Sequence, residues 1–185
     1  SRRCALGTAL TLPMACKTFR NPSPPKRLLV LGGTRLLGPP IVRTALAAGW
    51  NVTLFNRGKS GAGLFPELER RIGDRNELDY ASLETGEWDA VIDTSAYVPE
   101  HVRVVAELLS DRVQHYNIVS TVSVYGEQEN PSAPLTEDAP LGTATPEQIA
   151  DTTKIQQVTG QTYGPLKALC EAEMRKAFGS RCCTV

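Results

Sequence analysis

Between residues 28 and 38 the chain reads Leu-Leu-Val-Leu-Gly-Gly-Thr-Arg-Leu-Leu-Gly, and no other stretch limits the fold as much. Four apolar residues without alternation predict a strand buried on both faces, as in a parallel sheet covered by helices. Gly32 permits a tight turn at the end of that strand, and Gly38 lets the following helix pack close to the sheet. Amides at the start of such a helix can hold a diphosphate, which makes Gly32, Gly33, Thr34, Arg35 and Gly38 candidate binding residues. The pattern departs from its usual form twice. Arg35 stands where a middle glycine is common, and its guanidinium can pair with phosphate oxygens instead. Pro39 and Pro40 fall in the first helical turn, where amides lack partners inside the helix.

Downstream, apolar runs at 52–55, 90–93 and 116–120 read as further strands, with a shorter one centred on Ile72. Residues 37–48 and 99–109 carry apolar side chains at helical spacing. Strands alternating with helices through short connections predict an α/β fold, a doubly wound parallel sheet. Segment 126–160 is rich in Gly, Pro, Thr, Glu and Gln and reads as a long excursion with one short helix near 146–152. A helix then runs from 163 to 178 with Leu166, Leu169, Cys170, Met174, Ala177 and Phe178 as its apolar stripe. Residues 182–185 look like the start of another strand.

Overall charge is balanced, with 20 basic and 20 acidic side chains, and 41% of residues are hydrophobic, which argues against disorder or a surface built for polyanions throughout. The charges are unevenly placed: residues 1–66 hold ten Lys or Arg and no acid, whereas 67–185 hold ten basic and twenty acidic groups. Residues 1–27, basic and free of acids, read either as an organelle transit peptide or as a flexible leader or read-through segment with Met14 as the true start. The expected location is accordingly cytoplasmic, or a plastid or other organelle under the first alternative. Five cysteines without CxxC spacing, and two histidines, suggest reduced thiols rather than a disulfide framework or a metal centre. No apolar run approaches the ~20 residues that span a bilayer, so no membrane partner is expected.

About twenty residues after the glycines, an NAD-binding protein normally offers a carboxylate to the ribose 2′-hydroxyl. The first carboxylate here is Glu67, and the second strand ends Leu54-Phe55-Asn56-Arg57-Gly58-Lys59. Arg57, with Lys59 and Arg35, suits a 2′-phosphate, so NADP is the expected cofactor and NAD the alternative; a merely solvated basic loop is the plainer reading. Asp74, in Gly73-Asp74-Arg75, suits either the adenine amino group or the cap of a helical segment starting near Asn76. Ser95, in the small-residue stretch Thr94-Ser95-Ala96, would let the chain pass under a dinucleotide, or belongs to an ordinary loop.

Tyr163-Gly-Pro-Leu-Lys167 puts a phenol and an ammonium on one helical face. A neighbouring cation favours phenolate, which makes Tyr163 a usable general acid/base, and Lys167 could hold a nicotinamide ribose; an exposed helix pair is the bland alternative. The fifth strand leads into Val119-Ser120-Thr121-Val122-Ser123-Val124-Tyr125-Gly126. With the glycine turn, Asp74 and Tyr163…Lys167, this stretch resembles the NAD-dependent epimerase/dehydratase branch of the extended short-chain dehydrogenase/reductase family over residues 28–185. The resemblance implies a Rossmann-type NAD(P)-binding domain, with Thr121 orienting the substrate oxygen while Tyr163 moves the proton and hydride passes between a substrate carbon and nicotinamide. It also implies further strands and a C-terminal substrate domain after residue 185, so that a partial chain lacking that domain is expected.

The turn Gly-Gly-Thr-Arg-Leu-Leu-Gly and the strand end at Arg57 resemble a narrower subgroup, with bacterial members labelled epimerases or reductases and plastid members that include stem-loop RNA-binding proteins. Two functions follow from the resemblance. One is an NADP-preferring oxidoreductase or epimerase acting on a hydroxyl or keto carbon of a small-molecule substrate such as a sugar nucleotide. The other is a non-catalytic nucleotide- or RNA-binding protein of the same fold; a truncated product without activity is the third option. Family members often pair through the helix bearing Tyr163, so a homodimer is one arrangement the resemblance allows.

Overall fold

Parallel pairing organises the chain. The computed structural model describes residues 24–61, 63–126 and 134–185. Six strands form one sheet: β1 (Arg27–Leu31), β2 (Asn51–Asn56), β3 (Glu69–Ile72), β4 (Trp88–Asp93), β5 (Val113–Ile118) and β6 (Cys182–Thr184). Their order is β3-β2-β1-β4-β5-β6, and every pairing is parallel. The helices are α1 (Gly38–Ala47), α2 (Pro99–Leu109), α3 (Pro146–Asp151) and α4 (Gly160–Phe178). This is the doubly wound architecture expected from the alternation of strands and helices.

The non-alternating strands are explained by where their side chains go. Leu28 and Val30 join Val52 and Leu54 under Val42 and Ala45 of α1. Leu29 and Leu31 point the other way, into a cluster with Phe55, Val91, Val105 of α2 and Met174 of α4. Successive strand residues face opposite sides, and with helices on both sides every one of the four must be apolar. Burying each such side chain is worth roughly 1.5–3 kcal/mol.

The boundaries differ from expectation where polar chemistry hides an element. β3 was expected to centre on Ile72, but Ile72 is its last residue and is 52% exposed. The strand carries Glu69, Arg70 and Arg71 and lies at the sheet edge. Thr53 of β2 donates to Glu69 at 3.0 Å, and the charges keep that edge from pairing further. α4 starts at Gly160 rather than at 163 because Thr159 and Thr162 cap it reciprocally: each accepts a hydrogen bond from the other's main-chain N–H, at 3.2 and 2.9 Å. Thr145 and Gln148 make a similar box at α3. Of the leader, residues up to 23 lie outside the described residues, as do 127–133 of the excursion; β1 itself already begins at Arg27.

Candidate functional site

The loops leaving the carboxyl ends of β1 to β5 face one another across a cleft of about 510 Å³. The cleft sits where the winding reverses, since β1 leads outward to β2 and β3 while β4 begins the opposite half. Open α/β sheets take ligands at this place.

One wall is the turn after β1. Gly32, Gly33, Thr34 and Arg35 line the cleft. Gly38 stays behind them, off the cleft wall, because it brings α1 so close to the turn that a Cβ there would collide with the main chain of Gly33. Two side-chain contacts fix the loop after β2 against this turn. The Thr34 and Ser60 hydroxyls lie 3.2 Å apart, and the Asn56 amide donates to the Gly32 carbonyl at 3.3 Å while accepting from the Gly58 N–H at 2.9 Å. Arg57 is thereby presented, exposed, on the cleft wall. Lys59 is exposed in the same loop but does not line the cleft.

The second wall follows β3. Asp74 accepts the Asn76 N–H at 3.1 Å and caps a short turn, Arg75–Glu77, while also facing the cleft. Capping and ligand contact are therefore compatible in space. Arg75 is buried and grips Asp93, the last residue of β4, through both terminal nitrogens at 2.6 and 2.9 Å. It also donates to the Ser95 hydroxyl at 2.8 Å, and Asp93 accepts from the Ser95 N–H at 2.9 Å and the Tyr116 hydroxyl at 2.8 Å. Burial alone would push the Asp93 carboxyl up, but the Arg75 guanidinium beside it wins and holds it below its ordinary value. Ser95 lines the cleft as a member of this network.

Tyr163 and Lys167 close the far end. Gly164 lies between them and is buried against the Val122–Val124 turn; a Cβ there would collide with the Ser123 carbonyl. Only glycine lets α4 settle this deep. Lys167 is 2% exposed and donates to the carbonyls of Ala96, at 2.8 Å, and Val119, at 2.5 Å. It thus pins the loops after β4 and β5 together, and burial pulls its ammonium below the ordinary value. The Tyr97 ring lies 5.7 Å from that ammonium and 6.1 Å from the Tyr163 ring. Burial raises the Tyr97 phenol, which favours its protonated, donor form.

Thr121 is not brought to the cleft wall. Its hydroxyl accepts the Ser123 N–H at 3.2 Å and caps the Val122–Val124 turn. The neighbouring Ser120 does line the cleft, and its hydroxyl donates to Glu171, a buried carboxylate that also holds Arg175 at 3.0 Å. Sequence reasoning missed Ser60, Arg75, Tyr97, Ser120 as a wall residue, and Glu171. The arginine beside Asp74 and the aromatic residue two positions after Ser95 were the available signals. The assembled cleft carries exposed cations toward one end and two phenols with an ammonium at the other, an arrangement suited to an elongated anion and to proton transfer.

No protein-family model matches the chain. Among curated proteins it is similar to the chloroplast stem-loop binding protein of 41 kDa b of Arabidopsis thaliana, 31% identical over 122 residues, covering 58% of this chain and 32% of the plant protein. Among solved structures it is similar to the UDP-Glc/GlcNAc 4-epimerase of Campylobacter jejuni (TM-score 0.65, 16% identity, 86% of this chain and 52% of that one). It is also similar to the enzyme WbmG of Bordetella bronchiseptica in complex with NAD (0.62, 17%, 84% and 51%). A third is the dTDP-glucose 4,6-dehydratase of Bacillus anthracis in complex with NAD (0.60, 17%, 86% and 53%). The chain thus spans about a third of the curated relative and about half of these solved chains. The likeness to epimerases, dehydratases and other short-chain dehydrogenase/reductase proteins holds at the level of the fold. Among the described residues no helix is long and apolar enough to cross a membrane.

Proposed function

We propose that this chain, with the fold shared by the short-chain dehydrogenase/reductase epimerases and dehydratases, binds NADP in the cleft. It would serve an oxidoreductase or epimerase acting on a hydroxyl or keto carbon, with a sugar nucleotide as the favoured substrate class. One observation carries the reading: a single cleft at the reversal of the sheet collects the glycine turn, Arg57, Asp74, Ser95, Tyr163 and Lys167.

The residues fit a dinucleotide. Gly32 and Gly33 put no side chain over the floor of the turn, and Arg57 and Asp74 set an exposed cation and a carboxylate on the wall; the cation supports the choice of a 2′-phosphate. When bound, the cofactor supplies a nicotinamide carbon that gives or takes hydride. The protein's own part is positioning and proton movement. Tyr163 holds or releases the proton at the substrate oxygen, and the Ser120 hydroxyl lines the same cleft. Lys167 keeps the β4 and β5 loops at fixed separation and faces the same space.

Titrating NADPH and NADH, followed by nicotinamide fluorescence, tests the cofactor. NADPH should bind more tightly, and Arg57→Asp should cost NADPH roughly tenfold or more, a charge-assisted hydrogen bond's worth, without loss for NADH. NADH binding as tightly as NADPH in the unaltered chain would refute the preference. The plant relative is named for stem-loop binding, and a second reading is therefore a non-catalytic nucleotide- or RNA-binding protein of the same fold. Salt-sensitive stem-loop binding together with absence of dinucleotide binding would favour it.

A further inference from the structure

Helix α1 offers only a depleted form of the anion site that its position in the fold suggests. The first amides of a helix normally point unpaired at a bound phosphate. Here three of the four first-turn positions offer nothing: Pro39 and Pro40 have no N–H and the Gly38 N–H donates to the Arg35 carbonyl at 2.9 Å, which leaves only the amide of Leu37, the residue before the helix. A dinucleotide's diphosphate would find the end of the helix short of donors.

We propose that Arg35 is the diphosphate ligand of this cleft and that its side chain replaces the missing helix amides. The inference rests on the dinucleotide reading above and specifies how that site binds. Arg35 lies in the turn itself, lines the cleft and is exposed to it, where a guanidinium can pair with two phosphate oxygens at once. Burial raises the Tyr97 phenol, and the Arg35 charge works against that rise. Thr34, nearly buried, and Ser60 add a hydroxyl pair on the same wall. One hydroxyl hydrogen is used between them, and the other is available to an acceptor. An exposed side-chain cation differs from buried amides in one measurable respect: salt screens it.

Calorimetric titration of NADPH, NADH and ADP-ribose separates the possibilities. Arg35→Ala should weaken all three by a similar factor, roughly tenfold to a hundredfold, whereas Arg57→Asp acts on NADPH alone. Affinity of the unaltered chain should fall as salt is raised, and that dependence should shrink in Arg35→Ala. Adding Pro39→Ala and Pro40→Ala to Arg35→Ala returns two N–H groups to the helix end and should recover part of the loss for all three ligands, which a merely structural role for Arg35 does not predict. Wild-type affinity in Arg35→Ala, or no recovery on removing the prolines, overturns the proposal. If the unaltered chain binds none of the three, the dinucleotide reading fails and the proposal falls with it.

Discussion

Asp93→Ala should cost about 3–5 kcal/mol of folding stability, measured by chemical denaturation, because it leaves the Arg75 charge buried without its partner. The carboxylate is fully buried and accepts from Arg75, Ser95 and Tyr116 together, so its removal strands donors from three elements. A loss of that size is a large part of a typical domain's stability. Replacing Arg75 and Asp93 together with apolar residues of similar volume should recover much of it, since the penalty arises from an unpaired charge rather than from an absent attraction. A single substitution that costs under ~1 kcal/mol would mean that water reaches the pair. The pH dependence has a fixed sign. Asp93 is held below its ordinary value in the fold, so its contribution is complete above pH about 4 and is lost as the pH falls toward that lowered value. His101, pushed down to about 4 by burial and by Arg75, acts in the same direction. It is neutral in the fold yet protonated in the unfolded chain below pH about 6.5, so stability already declines from there. Asp93→Ala should flatten the lower part of that profile and leave the His101 part in place.

On the proposed oxidoreductase function, Tyr163→Phe should lower turnover by roughly a hundredfold to ten-thousandfold while leaving dinucleotide affinity nearly unchanged. The substitution keeps the ring and its 6.1 Å contact with Tyr97 and removes only the hydroxyl. Oxidation of NADPH in the presence of keto-sugar nucleotides, or reduction of NADP by the corresponding hydroxyl compounds, is the assay. Lys167→Met gives the contrasting outcome. Because Lys167 bridges the Ala96 and Val119 carbonyls, its loss should weaken cofactor binding and stability as well as turnover. Equal turnover by Tyr163→Phe and the unaltered protein would remove Tyr163 from the chemistry.

The fold was legible because β1, β2 and β4 are apolar on both faces, a pattern that only a sheet covered on both sides explains. β3 was misplaced by a few residues because an edge strand can be charged, as Glu69, Arg70 and Arg71 are, while its backbone pairs as well as any other. Individual cleft residues were readable wherever a local motif names them, as for the glycine turn, Arg57, Asp74 and the Tyr163–Lys167 spacing. What escaped were contacts between residues distant in sequence. Nothing local in Arg75 announces Asp93, eighteen residues on, and nothing in Ser120 announces Glu171. Tyr97 was overlooked because its importance comes from packing against Tyr163 and Lys167. Thr121 was matched by its place in a motif, whereas the backbone turn it caps directs its hydroxyl to Ser123.

The proposed function depends on the cleft at the reversal of the sheet being a dinucleotide site. Mapping backbone amide chemical shifts as NADPH is titrated into isotope-labelled protein tests it most directly. Saturable shifts are expected at Gly32, Gly33, Thr34, Arg35, Arg57, Asp74 and Ser95, with smaller ones at Tyr97 and Val119. Shifts confined to the outer faces of α2 and α4, or no saturable shift in a well-folded chain, would contradict it.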